Sequence, residues 1–255
     1  MHALAHGTAL RVAGLVKRYG GRAALGGVEL EVPAGAAFGL VGANGAGKTT
    51  LIKCALDLCA FDAGRIELFG TDHRRAEARR RLAYLPERFM PPHFLLGREF
   101  LAMSLELAGS RYDPARAAAL AAELELEPGA LDRPVRQLSK GMAQKLGLAA
   151  CFLVERDLYL LDEPMSGLDP GGRVAVKSVL ERLHRGGRTL FLTTHVLSDV
   201  EELCREMAVL DRGALRFHGA PAQLCARHGE PTLERAFLRC LREASGDGGR
   251  HPARA

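Results

Sequence analysis

The chain has no tryptophan, and aromatic residues fill only 5% of its 255 positions. Base-stacking platforms of the kind that hold single-stranded nucleic acid are therefore not indicated. No run of about 18 apolar residues occurs, so no segment is expected to span a bilayer. The opening stretch, MHALAHGTALRVAGLVKRYGG, carries neither a long apolar core nor a secretory cleavage site. The six cysteines, at 54, 59, 151, 204, 225 and 240, form no CxxC pair and no metal-type cluster. Most lie in apolar helical context and are expected to be small core residues in a reducing compartment. Charge gives no strong pointer to nucleic acid either. A net charge of +5 is mildly basic and too weak alone to argue for nucleic acid. The basic run HRRAEARRR (73–81) has no interleaved aromatics and reads as a solvated helix face. No internal repeat or low-complexity segment is present. These absences predict a cytoplasmic chain that does not cross a membrane but could still bind a membrane protein.

What is there is ordinary for a globular protein: 47% hydrophobic and 25% charged residues, long enough for one large domain or two small ones. Residues 9–41 read as short strands separated by turns, ending in the apolar run AAFGLVG. KTTLIKCALDLC (48–59) suits a helix and RIELFG (65–70) a strand. From about 72 to 153 the pattern is mostly helical. Strand character returns at DLYLLDEP (157–164). A helix over about 171–184 is followed by a strand at 188–194, a helix at 198–205, and strands EMAVLD (206–211) and ALRFHG. Alternating strands and helices predict an α/β fold with a mainly parallel sheet, and the stretch 72–153 interrupts it as an inserted helical subdomain. The end of the chain, SGDGGRHPARA, is small and polar and is expected to be disordered.

Three motifs carry chemistry. GANGAGKTT (42–50) matches GxxxxGK[ST] between a strand and a helix. Gly42, Gly45 and Gly47 would let backbone N–H groups wrap a phosphate chain. Lys48 would reach the β- and γ-phosphates, and the Thr49 hydroxyl would ligate Mg²⁺. In LYLLDEP (158–164), four apolar residues make a buried strand whose carboxyl end presents Asp162 and Glu163, where ligands of open α/β sheets bind. Asp162 is a candidate for the Mg²⁺ site and Glu163 for the general base acting on water. His195 follows the strand FLTT and would reach a γ-phosphate if that strand neighbours the other two. A fourth stretch, LSKGMAQKLGLA (138–149), reads within its own chain as a core helix capped by Ser139.

Taken in order, the phosphate loop, helical insertion, LSKGM, LLDEP, SGLD and TTH resemble the ATP-binding subunit of ABC transporters, over about residues 10–225. The resemblance implies a P-loop NTPase fold of the ABC type: a mainly parallel core sheet, an N-terminal antiparallel β subdomain and the inserted helical subdomain. The domain is expected over residues 8–240, with the tail from 241 to 255. By the same resemblance Tyr19 stacks on adenine and Gly42 to Thr50, with Asn44, Gly45, Gly47, Lys48 and Thr49, form the Walker A loop. Glu87 takes the Q-loop position, with a place near the metal. Leu138 to Met142 form the signature motif, whose Ser139 and Gly141 contact ATP on a second copy. Leu158 to Asp162 form Walker B, Glu163 is the catalytic glutamate, Ser166 to Asp169 the D-loop and His195 the switch histidine.

The departures are Lys140 and Met142 where LSGGQ is common, and Glu87 where glutamine is usual. Together with LE-x-x-F in PTLERAFLR (231–239), they resemble the type-2, exporter-like members of that family. The resemblance implies ATP and Mg²⁺ as cofactors, and a second nucleotide-binding subunit and an integral membrane permease as partners. It also implies a peripheral position on the cytoplasmic face of a bacterial inner membrane. The segment ERFMPPHFLLGREF (87–100) would be the apolar groove for a coupling helix of that permease. A soluble ABC ATPase acting on nucleic acid or ribosomes is the alternative. Such proteins usually carry two cassettes or long insertions, which this chain lacks.

Overall fold

The computed structural model describes residues 7–246. It begins with a hairpin. Strands β1 (Thr8–Tyr19) and β2 (Arg22–Pro33) pair antiparallel with Tyr19 opposite Arg22, which leaves Gly20-Gly21 as the loop. Their φ angles of 53° and 83° are the left-handed pair that a tight two-residue hairpin turn requires. The chain continues through β3 (Ala37–Val41), α1 (Lys48–Ala55), β4 (Ala63–Leu68), β5 (Thr71–Asp72), α2 (Ala76–Arg79), β6 (Leu82–Leu85), α3 (Gly97–Leu107), α4 (Pro114–Glu123) and α5 (Lys140–Leu153). It ends with β7 (Leu158–Asp162), α6 (Pro170–Arg185), β8 (Thr189–Thr194), α7 (Leu197–Leu203), β9 (Glu206–Asp211), β10 (Ala214–Gly219), α8 (Pro221–His228) and α9 (Leu233–Gly246).

Two sheets result. The order β2-β1-β4-β5 is wholly antiparallel, and β10-β9-β3-β8-β7-β6 is parallel from β9 to β6, with β10 antiparallel at its edge. The expected fold class is the one observed. Every residue of β3, β7 and β8 is buried, as for strands covered on both faces. The period of two sorts their side chains between two cores. Phe38, Leu40, Leu158, Leu160 and Phe191 face α1 and the antiparallel sheet, with the Phe38 and Phe191 rings stacked 5.7 Å apart. Val41, Tyr159, Leu161, Leu190 and Leu192 face the opposite way, into a core that takes in α3, α5, α6 and α7.

The stretch 72–153 is not helical throughout. Strand β6, LAYL, pairs in parallel with β7 from Leu82↔Leu158 to Leu85↔Leu161 and is the edge of the six-stranded sheet. Four residues are too few to display a period, and their Ala- and Arg-rich flanks favour a helical pattern. The helical block runs from α3 to α5. Asp113 caps α4 by accepting from Ala115 N–H at 2.9 Å, with Pro114 in the first turn.

Helix α1 stops at Ala55, short of the expected 59, and Asp57 turns the chain with φ 60°. Helix α9 continues to Gly246, past residue 241, where the tail was expected to start. Ala236 and Cys240 are buried, and Leu241 packs against the core, so an apolar face holds this segment. The remainder of the expected tail, 247–255, lies outside the described residues. All six cysteines are free thiols. No helix among the described residues is long and apolar enough to cross a membrane.

Candidate functional site

The loop after β3 is shaped by what cannot fit there. A Cβ at Gly42 would stand 2.3 Å from the Leu210 carbonyl oxygen on β9, so only glycine permits this approach. Gly45 and Gly47 have φ 81° and 113°, and α1 begins immediately after with Lys48. Ala43, Asn44 and Gly45 are exposed and line a cleft of about 380 Å³ together with Lys48, Thr49, Thr50, Glu87, Asp162 and Glu163. Backbone N–H groups and a helix N-terminus at such a cleft suit an anion. Lys48 is buried, and its Nζ donates to the Gly42 carbonyl at 2.6 Å and to the Ala43 carbonyl at 3.4 Å. Burial pulls its ammonium below the usual lysine range, against the opposing charges of Glu163, Asp162 and Glu87.

Strand order β3-β8-β7 brings the remaining groups to the same edge, because Asp162 pairs with Thr193 and Val41 with Thr194. Asp162 is 1% exposed. Its Oδ2 accepts from the Thr49 hydroxyl at 2.8 Å, and its Oδ1 accepts from the Thr193 hydroxyl. Glu163 follows with φ 52°, a left-handed conformation that costs a glutamate about 1 kcal/mol or more. Its N–H is held by the Thr193 carbonyl and hydroxyl, both at 3.1 Å. Its Oε1 lies 2.9 Å from His195 Nδ1. An ionised carboxylate only accepts, so Nδ1 carries the proton in this contact. The Glu163 side chain is 10% exposed and that of His195 60%. Burial raises the Glu163 carboxyl above its ordinary range, while the hydrogen bond and charge of His195, and Lys48 behind it, pull the other way.

Ser139, Gly141 and Asp169 lie outside the lining of this cleft, and Tyr19 adjoins it through Thr50. Ser139 is exposed and caps α5, its Oγ accepting from Met142 N–H at 3.2 Å. Gly141 follows in the first turn, where a Cβ would stand 3.1 Å from the Gly167 carbonyl oxygen. Asp169, also exposed, caps α6 through Gly172 N–H. Tyr19 is 51% exposed. Its hydroxyl meets Cys59 Sγ at 3.1 Å and interacts with Thr50 on α1, while Lys17 Nζ lies 4.6 Å over its ring. The hydrogen bond to Cys59, with partial burial, pushes the phenol up to about 12. In the segment 87–100, Phe89 packs edge-on against Phe100 at 5.5 Å, whereas Met90 and Phe94 are 79% and 76% exposed.

Thr193 had no place in the sequence-derived site, yet it orients both acidic residues. The TTH triplet is its signal: a polar residue on a fully buried strand must find a partner. Gln144 was missed as well. It is buried on α5 and donates to the Pro164 carbonyl at 3.1 Å, bracing the turn after Glu163.

Residues 25–166 match the ABC transporter family. An uncharacterised ABC transporter ATP-binding protein of Synechocystis is 38% identical over 77% of the chain and 56% of its own length. A daunorubicin resistance ATP-binding protein of Streptomyces coeruleorubidus is 39% identical over 89% of the chain and 73% of its own length. A Nod factor export ATP-binding protein of Ralstonia nicotianae is 36% identical over 84% and 68%. Thus the chain spans little more than half of one of these relatives and about 70% of the other two. Among solved structures, an ATP-binding subunit of an ABC transporter matches with a TM-score of 0.80 and 28% identity, over 92% of this chain and all of that one. A dimeric ATP-binding cassette in a post-hydrolysis state with ADP and phosphate matches in fold, with a TM-score of 0.76 at 19% identity, over 83% and 98%.

Proposed function

The chain belongs to the ABC transporter family, and from that membership we propose that it is the ATP-hydrolysing subunit of an exporter-like transporter. The observation that carries the reading is the meeting of Thr49 and Asp162 at 2.8 Å, beside Glu163 and His195 at 2.9 Å, on one edge of the sheet.

In this reading the phosphates of ATP lie along residues 42–50, with Asn44, Gly45, Gly47 and Thr50 contributing to the cradle. Lys48 leaves the loop carbonyls to meet the β- and γ-phosphates, a charge-assisted exchange that favours the ligand. Tyr19 offers its exposed ring to adenine. The oxygen donors of Thr49 and Asp162 fit Mg²⁺, which takes few protein ligands and keeps waters and phosphate oxygens for the rest of its shell. Accordingly, no cluster of three His, Cys, Asp or Glu side chains is needed, and the described residues contain none. Bound there, Mg²⁺ would neutralise phosphate charge. Glu87 borders the same cleft and is assigned to the metal side of it, reporting nucleotide state to the membrane partner. Glu163 accepts the proton of the attacking water, a role its raised affinity for protons suits. His195 orients Glu163 and faces the γ-phosphate.

Ser139, Gly141 and Asp169 complete the site of a second copy. The exposure of Ser139 and Asp169, each capping a helix outside the lining of the cleft in their own chain, supports a role across a head-to-tail dimer. The permease partner is supported by the names of the relatives and by Met90 and Phe94, exposed apolar side chains in the segment that follows Glu87. Binding to an integral membrane subunit on the cytoplasmic face follows from this reading.

The test is Glu163→Gln in the full chain. ATP binding is expected to persist, hydrolysis to fall about 10²- to 10⁴-fold, and an ATP-dependent dimer to accumulate. Turnover at the normal rate would refute the base assignment, and association with ribosomes or DNA in place of a multi-span membrane protein would refute the transporter role.

A further inference from the structure

Outside the groups already placed, one buried ionic cluster adjoins the Glu163–His195 pair. Asp199, on α7, is 2% exposed. Both its carboxylate oxygens accept from Arg173 Nη2 at 2.7 Å, and Lys177 Nζ lies 3.0 Å from Oδ1. Arg173, on α6, also sends Nη1 to the Met165 carbonyl at 3.5 Å. These contacts close a ring. Asp199 N–H donates to the Val196 carbonyl at 3.2 Å, and Val196 directly follows His195. Met165 stands two residues after Glu163, where Ser166 N–H donates to the Glu163 carbonyl at 3.0 Å. Arg173 and Asp199 line a small cavity of about 160 Å³ together with Glu163 and His195.

We propose that Arg173 and Asp199 are positioning residues for hydrolysis: the guanidinium spans from the α7 carboxylate to the Met165 carbonyl and so fixes the loop bearing Glu163 against the helix that follows His195. The proposal rests on the assignment of Glu163 as the base. The physical ground is that the backbone bond from Glu163 N–H to the Thr193 carbonyl fixes the two loops only where they leave their strands, and side chains tie Met165 to α7 beyond it. A planar fork with several fixed donors can set their separation, whereas an ammonium is a compact point charge with rotatable donors on a flexible stem and does not hold two acceptors in one fixed geometry. A misplacement of about 1 Å at the reacting groups lowers turnover by as much as about 10²-fold without weakening nucleotide binding.

Three variants of the full chain, assayed for phosphate release over an ATP titration and for thermal unfolding, test this. Arg173→Gln is expected to lower kcat about tenfold or more while KM for ATP stays within about twofold. Arg173→Lys keeps an ion pair with Asp199, so it is expected to restore the unfolding temperature but not kcat. Lys177→Met removes a cation from the same carboxylate without touching Met165, and its kcat is expected to stay within about twofold of the parent. If Arg173→Gln fails to fold, Arg173→Lys carries the reading against the parent. The proposal is overturned if Arg173→Lys turns over at the parental rate, or if Lys177→Met loses as much kcat as Arg173→Lys. A parent chain with no ATPase activity would instead overturn the proposed function itself.

Discussion

Ser139 offers a substitution that separates its two roles. Within the chain its Oγ caps α5 by accepting from Met142 N–H at 3.2 Å. Ser139→Ala removes that acceptor and is expected to cost about 1 kcal/mol, or roughly 2–4 °C in unfolding temperature for a chain of this size. Ser139→Asp keeps an acceptor in the preferred position and adds a charge that the helix N-terminus favours. Its unfolding temperature is therefore expected to match the parent. Across a dimer the outcome reverses. A carboxylate brought to about 4 Å from a γ-phosphate charge meets a repulsion of about 4 kcal/mol at an effective dielectric of about 20. That is close to a 10³-fold loss of affinity per site. The assay is size-exclusion chromatography with ATP in the Glu163→Gln background, together with ATP binding by the monomer and phosphate release by the single variant. Ser139→Asp is expected to bind ATP as a monomer, fail to dimerise and fail to hydrolyse. Normal dimers and normal turnover would refute the role in trans. Loss of binding by the monomer would place Ser139 against its own nucleotide and refute it as well.

Three further outcomes can be measured. Burial raises the Glu163 carboxyl, and a general base acts when ionised, so with Glu163 in its proposed role kcat is expected to rise with pH along a limb lying above the ordinary glutamate value of 4.5. The linkage has a definite sign. A carboxyl whose folded pKa is raised contributes stability that is present below its unfolded value and is lost as pH rises through the folded value. The unfolding temperature of Glu163→Gln should therefore gain on the parent as pH increases, and a gain on acidification would contradict the burial argument. Thr49→Val takes away the hydroxyl that lies 2.8 Å from Asp162 and is proposed as a ligand of the ion, and is expected to raise the Mg²⁺ concentration needed for half-maximal hydrolysis about tenfold, read by titration, because one oxygen donor is lost and tenfold corresponds to about 1.4 kcal/mol. Gly42→Ala forces a Cβ to within 2.3 Å of the Leu210 carbonyl oxygen, so backbone must shift. An overpacking cost of about 1–3 kcal/mol and loss of ATP binding are expected by calorimetry, and a fully stable ATP-binding variant would refute the crowding.

How much of this was readable in advance depended on the range of the interaction. AFGLV, LYLLD and TLFLTT announce covered strands because five or six neighbouring residues share one environment. The Gly-rich loop announces itself because only glycine tolerates its angles. Strand β6 was hidden because its pairing with β7 is a contact across more than seventy residues, and LAYL has no period of its own. The clamp from Arg173 to Asp199 was hidden for the same reason: it joins two helices separated by a strand, each of which looks amphipathic and ordinary alone. Thr193 falls between these cases. Its polarity on a buried strand was visible, but the identity of its partner, Asp162, depended on which strand lies next to β8. Tyr19 was placed by resemblance, and nothing in its own neighbourhood of sequence points to Cys59 forty residues away.

The two departures in LSKGM have local causes that leave Ser139 and Gly141 in place. Lys140 does not project freely: a Cβ at Gly167 would stand 3.1 Å from Lys140 Cε and 3.2 Å from Cδ, so the lysine stem lies over the loop that follows Glu163. The methylene chain covers that backbone while the ammonium remains in water. Met142 turns inward and packs against the small cluster of Ala121, Leu126 and Ala130, where an unbranched thioether fills an irregular gap. Each replacement is thus accounted for by packing within one chain. Ser139 and Gly141 are left as the members whose position a packing argument does not exhaust. Gly141 is held 3.1 Å from the Gly167 carbonyl oxygen by the measure of an added Cβ, so the start of α5 and the loop after Glu163 form one surface. A ligand seated on Ser139 would therefore rest against the same loop that Arg173 ties to α7.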